Sequence, residues 1–163
     1  MTRLYGWGLK GERVEEFVPD VRFERTSIIS AIGLDGFIAP MTYKGTLDAN
    51  LFATYVSESL VNELNEGDIL VLDNLSSHKA ANETCLKPLT DKGVEILWLP
   101  PYSSDFNPIE LAWSKLKTII KKHKPRATDE LMRVLKTAFD EITKKDIRSW
   151  FKHDGYVSNS ANV

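Results

Sequence analysis

Two short apolar runs separated by a helix-length segment constrain the fold of this chain most strongly. The first run is DILVLDNL at residues 68–75, and the second is VEILWLP at residues 94–100. Nearly continuous apolar runs of this length are typical of strands covered on both faces, as in sheets whose strands are joined by crossover helices. Residues 79–92 supply a helical pattern between them, although Pro88 is expected to break or kink that helix. The sequence therefore predicts a strand–helix–strand unit with both strands buried.

The residues before this unit predict a hairpin followed by a helix. SIISAIGLDG and FIAPMTYKG are β-rich runs that meet at Asp35-Gly36, a dipeptide typical of two-residue connections between antiparallel strands. The next segment has apolar residues at spacings of three to five and stops at Gly67, which indicates an amphipathic helix with Asp48 at its start. Its apolar positions are Leu47, Leu51, Tyr55, Leu60 and Leu64.

The residues after the unit predict a loop and three helices. The loop PPYSSDFNP leads into a helix from about Ile109 to Lys122, with Asn107 as its cap and Pro108 in its first turn. TDELMRVLKTAFDEI, capped by Thr128, and KDIRSWFKH supply two further helices, and the tail GYVSNSANV is expected to be frayed. Hairpin strands first and helix-connected strands later predict an α/β fold with a mixed sheet and helices on its faces.

Length and composition indicate one domain. The chain has 163 residues, of which 42% are apolar, enough for one sizeable core. We find no membrane-length apolar run and no secretory signal, so the sequence predicts a cytoplasmic protein without a membrane partner. The single cysteine, Cys85, lies in an amphipathic helical pattern, where a structural role is expected rather than a nucleophilic one.

The charge is distributed unevenly along the chain. The net charge is -2, yet residues 113–152 carry 12 basic and 5 acidic side chains, and the rest carry 9 basic and 18 acidic ones. Such a basic segment is either a solvated helical face or a surface that binds phosphates. The charge pattern alone leaves both interpretations open.

Two acidic residues follow the predicted strands in positions suited to a site. Asp73 comes directly after ILVL, and functional side chains of α/β sheets gather beyond the carboxyl ends of strands. Glu110 lies in the first turn of the following helix, where the helix N-terminus stabilises negative charge. Each has an ordinary explanation as well, Asp73 as a turn former and Glu110 as a helix-stabilising acid.

The strings that contain these acids resemble a known family. VLDNLSSH around Asp73 and LPPYSSDFNPIELAWSKLK around Glu110 are similar, in order and spacing, to the DDE endonuclease domain of the Tc/mariner transposases. The closest resemblance is to bacterial transposases of the insertion-sequence-630 type. YGWGLKGERV and the hairpin segment resemble the same family, so the similarity spans about residues 5–124.

The resemblance implies a fold and a missing element. The family has a ribonuclease-H-like mixed sheet with flanking helices, and its first, central strand carries a first catalytic aspartate. That strand lies upstream of the segment that resembles YGWGLKGER, so the chain is expected to lack it and to be N-terminally truncated. Asp35 and Asp48 do not replace the lost aspartate, because one belongs to the hairpin turn and the other to a helix start. A remnant or a product of a shifted reading frame would explain the truncation.

The resemblance also implies a metal site. DDE transposases hold two Mg²⁺ or Mn²⁺ ions with three carboxylates, and hard oxygen ligands suit these ions. By motif, Asp73 and Glu110 correspond to the second and third carboxylates, as catalytic residues and metal ligands. Asn74, His78 and Asn107 are expected to support the site. With two of three ligands present, metal binding should be weaker and the chain inactive on its own.

The implied partner is DNA, both transposon ends and target. The basic residues that follow Glu110 are the expected phosphate contacts, whereas Trp113 on the same helix is expected to lie in the core. These contacts are Lys115, Lys117, Lys121 and Lys122. A missing upstream transposase segment or a second copy of the chain could supply the lost strand. Residues 1–124 are expected to form the endonuclease core, and residues 125–163 its C-terminal helices and tail.

Two other functions remain open at this point. The chain could be a transposase remnant that binds nucleic acid or another subunit without catalysis. It could also be an unrelated α/β domain that acts on small molecules, but we find no phosphate-binding glycine loop or nucleophile motif to support this.

Overall fold

The first strands among the described residues form an antiparallel hairpin. A computed structural model describes residues 7–15, 25–73 and 82–156, with side chains from residue 85 onward in the last range. Strand β1 (Thr26–Gly33) pairs with β2 (Gly36–Lys44). Because Gly33 pairs with Gly36, the two turn residues are Leu34 and Asp35. The hairpin is therefore confirmed, with its turn one residue earlier than predicted.

The hairpin contributes side chains to two apolar clusters. We call them the first core and the second core. Ile29 belongs to the first core with Ala31 packed against it, whereas Ile28 and Ile32 pack against the second core. This alternation is the period of two of a strand. The hairpin thus connects the two cores of the molecule.

A π-helical segment interrupts the helix after the hairpin. The order is α1 (Ala49–Tyr55), a π-helical stretch (Val56–Leu60) and α2 (Val61–Glu63). Asp48 caps α1 by accepting a hydrogen bond from the Leu51 backbone N–H at 2.8 Å. The step from Tyr55 to Leu60 is longer than one α-helical turn, and the wider π turn places both side chains in the first core. The predicted helix and its aspartate start are therefore confirmed.

The strand–helix–strand unit is present. Strand β3 (Ile69–Leu72) pairs in parallel with β4 (Glu95–Trp98), and helix α3 (Asn82–Asp91) lies between them in sequence. Pro88 lies inside α3, which continues to Asp91, so the expected break does not occur. Cys85 packs against the first core, and burial raises the pKa of its thiol, in line with a structural role.

The prediction that both strands are buried on two faces is wrong. Leu70 and Leu72 are buried in the first core, but Ile69 on the opposite face is 58% exposed and Leu97 is 46% exposed. Only one face of this sheet has a packing partner in the described part of the chain. The apolar runs gave the strands correctly but could not show that Ile69 and Leu97 are exposed.

The expected single mixed sheet is also not observed. Within the described ranges the strands form two sheets of two strands each, β1–β2 and β3–β4. Both contribute to the first core, through Ile29 of β1 and through Leu70 and Leu72 of β3. The molecule is a mixed α/β structure with two small sheets.

Three helices follow the sheets and build the second core. They are α4 (Pro108–His123), α5 (Thr128–Glu141) and α6 (Lys144–His153). Leu116, Leu135 and Ile147 represent the three helices among its buried residues, and Trp113 packs against it as predicted. Phe37 of the hairpin contacts Phe139 of α5 edge to face, with ring centroids 4.7 Å apart.

The helix caps differ in detail from the predictions. Asn107 is the N-cap residue of α4 and Pro108 follows it as expected, but the Asn107 side chain makes no capping hydrogen bond. Thr128 is the first residue of α5, not its cap, and the preceding Arg126 backbone N–H donates to Glu130 at 2.7 Å. Helix α6 has a complete capping box between Thr143 and Asp146. The sequence predicted where these helices begin, but not which side-chain oxygen accepts a hydrogen bond from the first turn of each helix.

The remaining predictions about the fold concern the tail and membrane insertion. Residues 157–163 of the tail lie outside the described residues. Across the described ranges, we find no helix with the length and apolar character needed to span a bilayer. The division of the chain at residue 124 stays a prediction.

Candidate active site

Asp73 lies at the carboxyl end of β3. It follows Leu72 directly and is half-buried. The Leu99 backbone N–H donates to the Leu72 carbonyl oxygen at 2.8 Å, which extends the parallel pairing to the residue before Asp73. The carboxyl ends of β3 and β4 therefore lie side by side. Any segment that leaves β4 starts next to Asp73.

The segment that leaves β4 carries Glu110. It contains two prolines, a 3-10 turn (Ser104–Phe106) and then the start of α4. The Glu110 backbone N–H donates to Asn107 at 3.0 Å, and Pro108 is buried at this helix start. Glu110 itself is exposed in the first turn. Asp73 and the loop to Glu110 thus begin at the same edge of the same parallel sheet.

Helix α4 places two lysines on the same side as Glu110. Successive residues of an α-helix are about 100° apart, so residues seven and eleven positions on return to nearly the same direction. Lys117 and Lys121 occupy these positions and are exposed. The buried face of α4, which includes Ala112 and Ile119, points away from this stripe. One side of the helix therefore presents an acid followed by two cations.

Lys115 and Lys122 lie on the other flank of α4, roughly 120–140° around the helix from Glu110. The Lys115 ammonium is 2.6 Å from Asp146 of α6, and both side chains are partly buried. This hydrogen bond and those from Thr143 lower the pKa of Asp146 to about 2. Lys122 is exposed. Of the four lysines predicted to bind DNA, Lys115 is therefore held by a structural ion pair.

The two candidate ligands, Asp73 and Glu110, are suited to a hard cation. Carboxylate oxygens, as on Asp73 and Glu110, are ligands that Mg²⁺ and Mn²⁺ prefer. Within residues 7–15, 25–73 and 82–156, no group of three or more His, Cys, Asp or Glu side chains could hold a metal ion. Asn74 and His78, predicted to support the site, lie outside the described residues.

Asp35 and Asp48, which were not expected to replace the lost catalytic aspartate, have structural roles. Asp35 lies in the hairpin turn and accepts a hydrogen bond from Lys144 of α6 at 2.8 Å. This contact lowers the pKa of the Asp35 carboxyl. Asp48 caps α1. Both uses agree with the ordinary roles expected for these residues.

Three aromatic residues, two in this loop and one after α6, were not predicted as site residues. Tyr102 is fully exposed and has a positive φ of 60°, which is uncommon for a residue with a side chain. Phe106 is also exposed, and its carbonyl oxygen accepts a hydrogen bond from the hydroxyl of Tyr156 at 2.6 Å. The two prolines before Tyr102 signalled a turn. No sequence pattern indicated the contact with Tyr156, because it joins residues that are far apart in the chain.

These features define an α/β protein with one candidate acid, Asp73, beyond the carboxyl end of a parallel strand, the usual position of sites in such folds, and a second, Glu110, in the first helix after β4. A family model described as DDE superfamily endonuclease matches residues 1–132. The match covers most of the chain, so the chain belongs to the DDE superfamily endonucleases. Membership implies DNA as the substrate and a general use of divalent metals in the superfamily. No curated protein matches the chain.

Proposed function

We propose that this chain is part of the catalytic domain of a DNA transposase of the Tc/mariner superfamily, of the insertion-sequence-630 type. Asp73 and Glu110 hold a divalent cation at the end of the β3–β4 sheet, where DNA is cut and transferred. One observation carries the proposal. The residue before Asp73 is hydrogen-bonded to Leu99, so the loop to Glu110 begins beside Asp73.

The proposed roles follow from where each side chain is attached. Strand β3 fixes the backbone of Asp73, and the first turn of α4 fixes that of Glu110. The positive end of the α4 dipole stabilises the negative charge that Glu110 brings to the site. When bound, two divalent ions would activate the attacking oxygen and stabilise the leaving oxygen of a phosphodiester. The protein residues supply the oxygen ligands and their spacing.

The two-sheet architecture supports the idea that a further strand completes the domain. Strands β1 and β3 contribute to one core, yet in the described ranges each pairs with a single neighbour. A strand edge presents unpaired backbone donors and acceptors, which favour the addition of another strand. An upstream transposase segment or a second copy of the chain could provide it, together with a third carboxylate. We therefore propose that the chain alone is a weak metal binder without cleavage activity.

The α4 stripe supports a path for DNA. Lys117 lies two turns from Glu110 and Lys121 about three turns, so a phosphate backbone running along α4 from the metal site would meet both. Neither lysine belongs to the ion pairs of the described residues, whereas Lys115 is paired with Asp146. Phosphate contacts of this kind position DNA without reading its sequence.

Metal binding tests the proposal directly. We expect Mn²⁺ titrated into the chain, followed by calorimetry, to bind about tenfold or more weakly to Asp73→Asn and to Glu110→Gln than to the unchanged protein. Asp105→Asn is the matched control, because Asp105 is an exposed acid of the same loop. If all four proteins bind Mn²⁺ equally, or none does, the proposed site is wrong.

The alternative is a transposase remnant that binds nucleic acid or another subunit without catalysis. The basic segment, residues 113–152, favours it, as does the absence of a three-carboxylate cluster within the described ranges. Salt-sensitive DNA binding, with no Mn²⁺-dependent nicking even when an upstream segment is supplied, would support the remnant. Nicking that Asp73→Ala abolishes would support the enzyme.

A further inference from the structure

A hydrogen bond connects the segment after α6 to the loop before Glu110. The Tyr156 hydroxyl donates to the Phe106 carbonyl oxygen at 2.6 Å, across 50 residues of sequence. Phe106 closes the 3-10 turn that leads into α4, and Glu110 follows one helical turn later. The contact therefore acts on the backbone that carries the candidate metal ligand.

Tyr156 is itself held firmly by the end of α6. Its backbone N–H donates to the Phe151 carbonyl at 2.9 Å, and its ring meets the Phe151 ring edge to face at 5.9 Å. Gly155 before it has a φ of 87°, which lets the chain turn back over the helix end. Phe151 packs against the second core. The phenol is thus connected to the body of the protein by backbone, ring and core contacts.

The loop has few other connections of this kind. Among the described residues, the remaining hydrogen bonds of residues 100–107 are local, including Phe106 to Ser103 at 3.1 Å and Asn107 to Ser104 at 3.0 Å. The side chains of Tyr102, Asp105 and Phe106 are exposed. Local turns fix the shape of such a loop but not its position relative to the rest of the molecule. Besides its attachment to β4 and α4 at its two ends, the loop is joined to a distant part of the described chain by the bond from Tyr156.

We propose that Tyr156 is a positioning residue, whose hydroxyl fixes the loop of residues 103–107 and through it the place of Glu110 at the end of the sheet. Whether this positioning matters for catalysis rests on the proposed metal site at Asp73 and Glu110. Partial burial and the nearby Asp154 carboxylate raise the pKa of the Tyr156 phenol. The segment that follows α6 thereby contributes to the site without touching the substrate.

Hydrogen exchange of the full chain tests the inference. Tyr156→Phe keeps the ring that packs on Phe151 and removes only the hydroxyl. We expect amides of residues 103–110 to exchange about fivefold faster in this variant, as the loss of one hydrogen bond implies, with unchanged global stability. Tyr102→Phe is the matched control, because it removes the hydroxyl of an exposed tyrosine in the same loop. It should leave the exchange of these amides unchanged.

Mn²⁺ binding supplies the second measurement. Tyr156→Phe should weaken the binding of Mn²⁺ severalfold, whereas Tyr102→Phe should not. Unchanged exchange of residues 103–110 in Tyr156→Phe overturns the inference, and so does faster exchange with unaltered Mn²⁺ affinity. If the unchanged protein binds no Mn²⁺, the proposed metal site fails on its own. The exchange of the Glu110 amide then decides whether Tyr156 positions this backbone.

Discussion

Asp146 shows how one carboxylate can join two helices. It accepts hydrogen bonds from the Thr143 backbone N–H at 2.9 Å and from the Thr143 hydroxyl at 2.7 Å, which cap α6. It also meets Lys115 of α4 at 2.6 Å. All of these contacts favour the ionised form, which is why the pKa of Asp146 falls to about 2. A lowered pKa means that Asp146 stabilises the fold above the pKa it has in the unfolded chain, near 4.

Removing this charge should cost stability in a pH-dependent way. We expect Asp146→Asn to lower the free energy of unfolding by about 1 kcal/mol at pH 7, a value reduced for solvent screening because the side chain is 29% exposed. The difference from the unchanged protein should shrink as pH falls from about 4 to about 2, where Asp146 becomes protonated. Urea unfolding at several pH values measures it, with the exposed Asp129→Asn as the control. A difference at pH 2 as large as the one at pH 7 would contradict the ionic explanation.

At the level of single residues, the sequence could point only to acids that lie in contiguous motifs, and their role in a metal site stays a prediction. Asp73 follows an apolar strand and Glu110 starts a helix, and both positions can be inferred from neighbours in sequence. The contacts of Lys115 with Asp146 and of Tyr156 with Phe106 join distant segments. Exposed polar side chains carry no periodic signal that tells which of them meet. The ion pair that holds Lys115 could therefore not be anticipated.

At the level of elements, the positions of strands and helices were predicted better than the burial of their faces. The hairpin, β3, β4 and the three C-terminal helices are present at or near the predicted residues. Apolar content predicted burial of β3 and β4 on both faces, but Ile69 and Leu97 are exposed. Apolar runs report what a strand can bury, whereas actual burial depends on which neighbours are there to cover it.

The faces of α4 lead to a prediction about DNA binding. Replacing both Lys117 and Lys121 with alanine should reduce the slope of log affinity against log salt by about 2, because each lysine that neutralises a phosphate contributes about 0.9. Lys122→Ala, an exposed lysine on the other flank, should change the slope by less than either single replacement on the stripe. Fluorescence anisotropy with a short duplex at several salt concentrations measures this. Equal effects of all three lysines would mean that DNA does not follow the Glu110 side of the helix.

At the level of the whole molecule, the sequence could give the fold class but not the relation between the sheets. A mixed α/β composition follows from the order of patterns, and it is confirmed. The described strands nevertheless form two separate pairs, joined through the first core and not through a common ladder. Pairing between strands distant in sequence is decided by which backbone edges are available. Composition and periodicity contain little information about such edges.

The two cores are expected to unfold together, because the hairpin packs one face on each. Leu89→Ala removes a fully buried side chain of the first core, which should cost about 3 kcal/mol. Leu89 is not part of the second core, yet if unfolding is cooperative the amides of α5 should lose roughly a hundredfold of their protection against hydrogen exchange. Leu34→Ala, in the exposed hairpin turn, serves as the control and should change α5 exchange little. Unaltered α5 protection in Leu89→Ala would show that the second core is stable by itself, and the hairpin would then be a contact between two independent units.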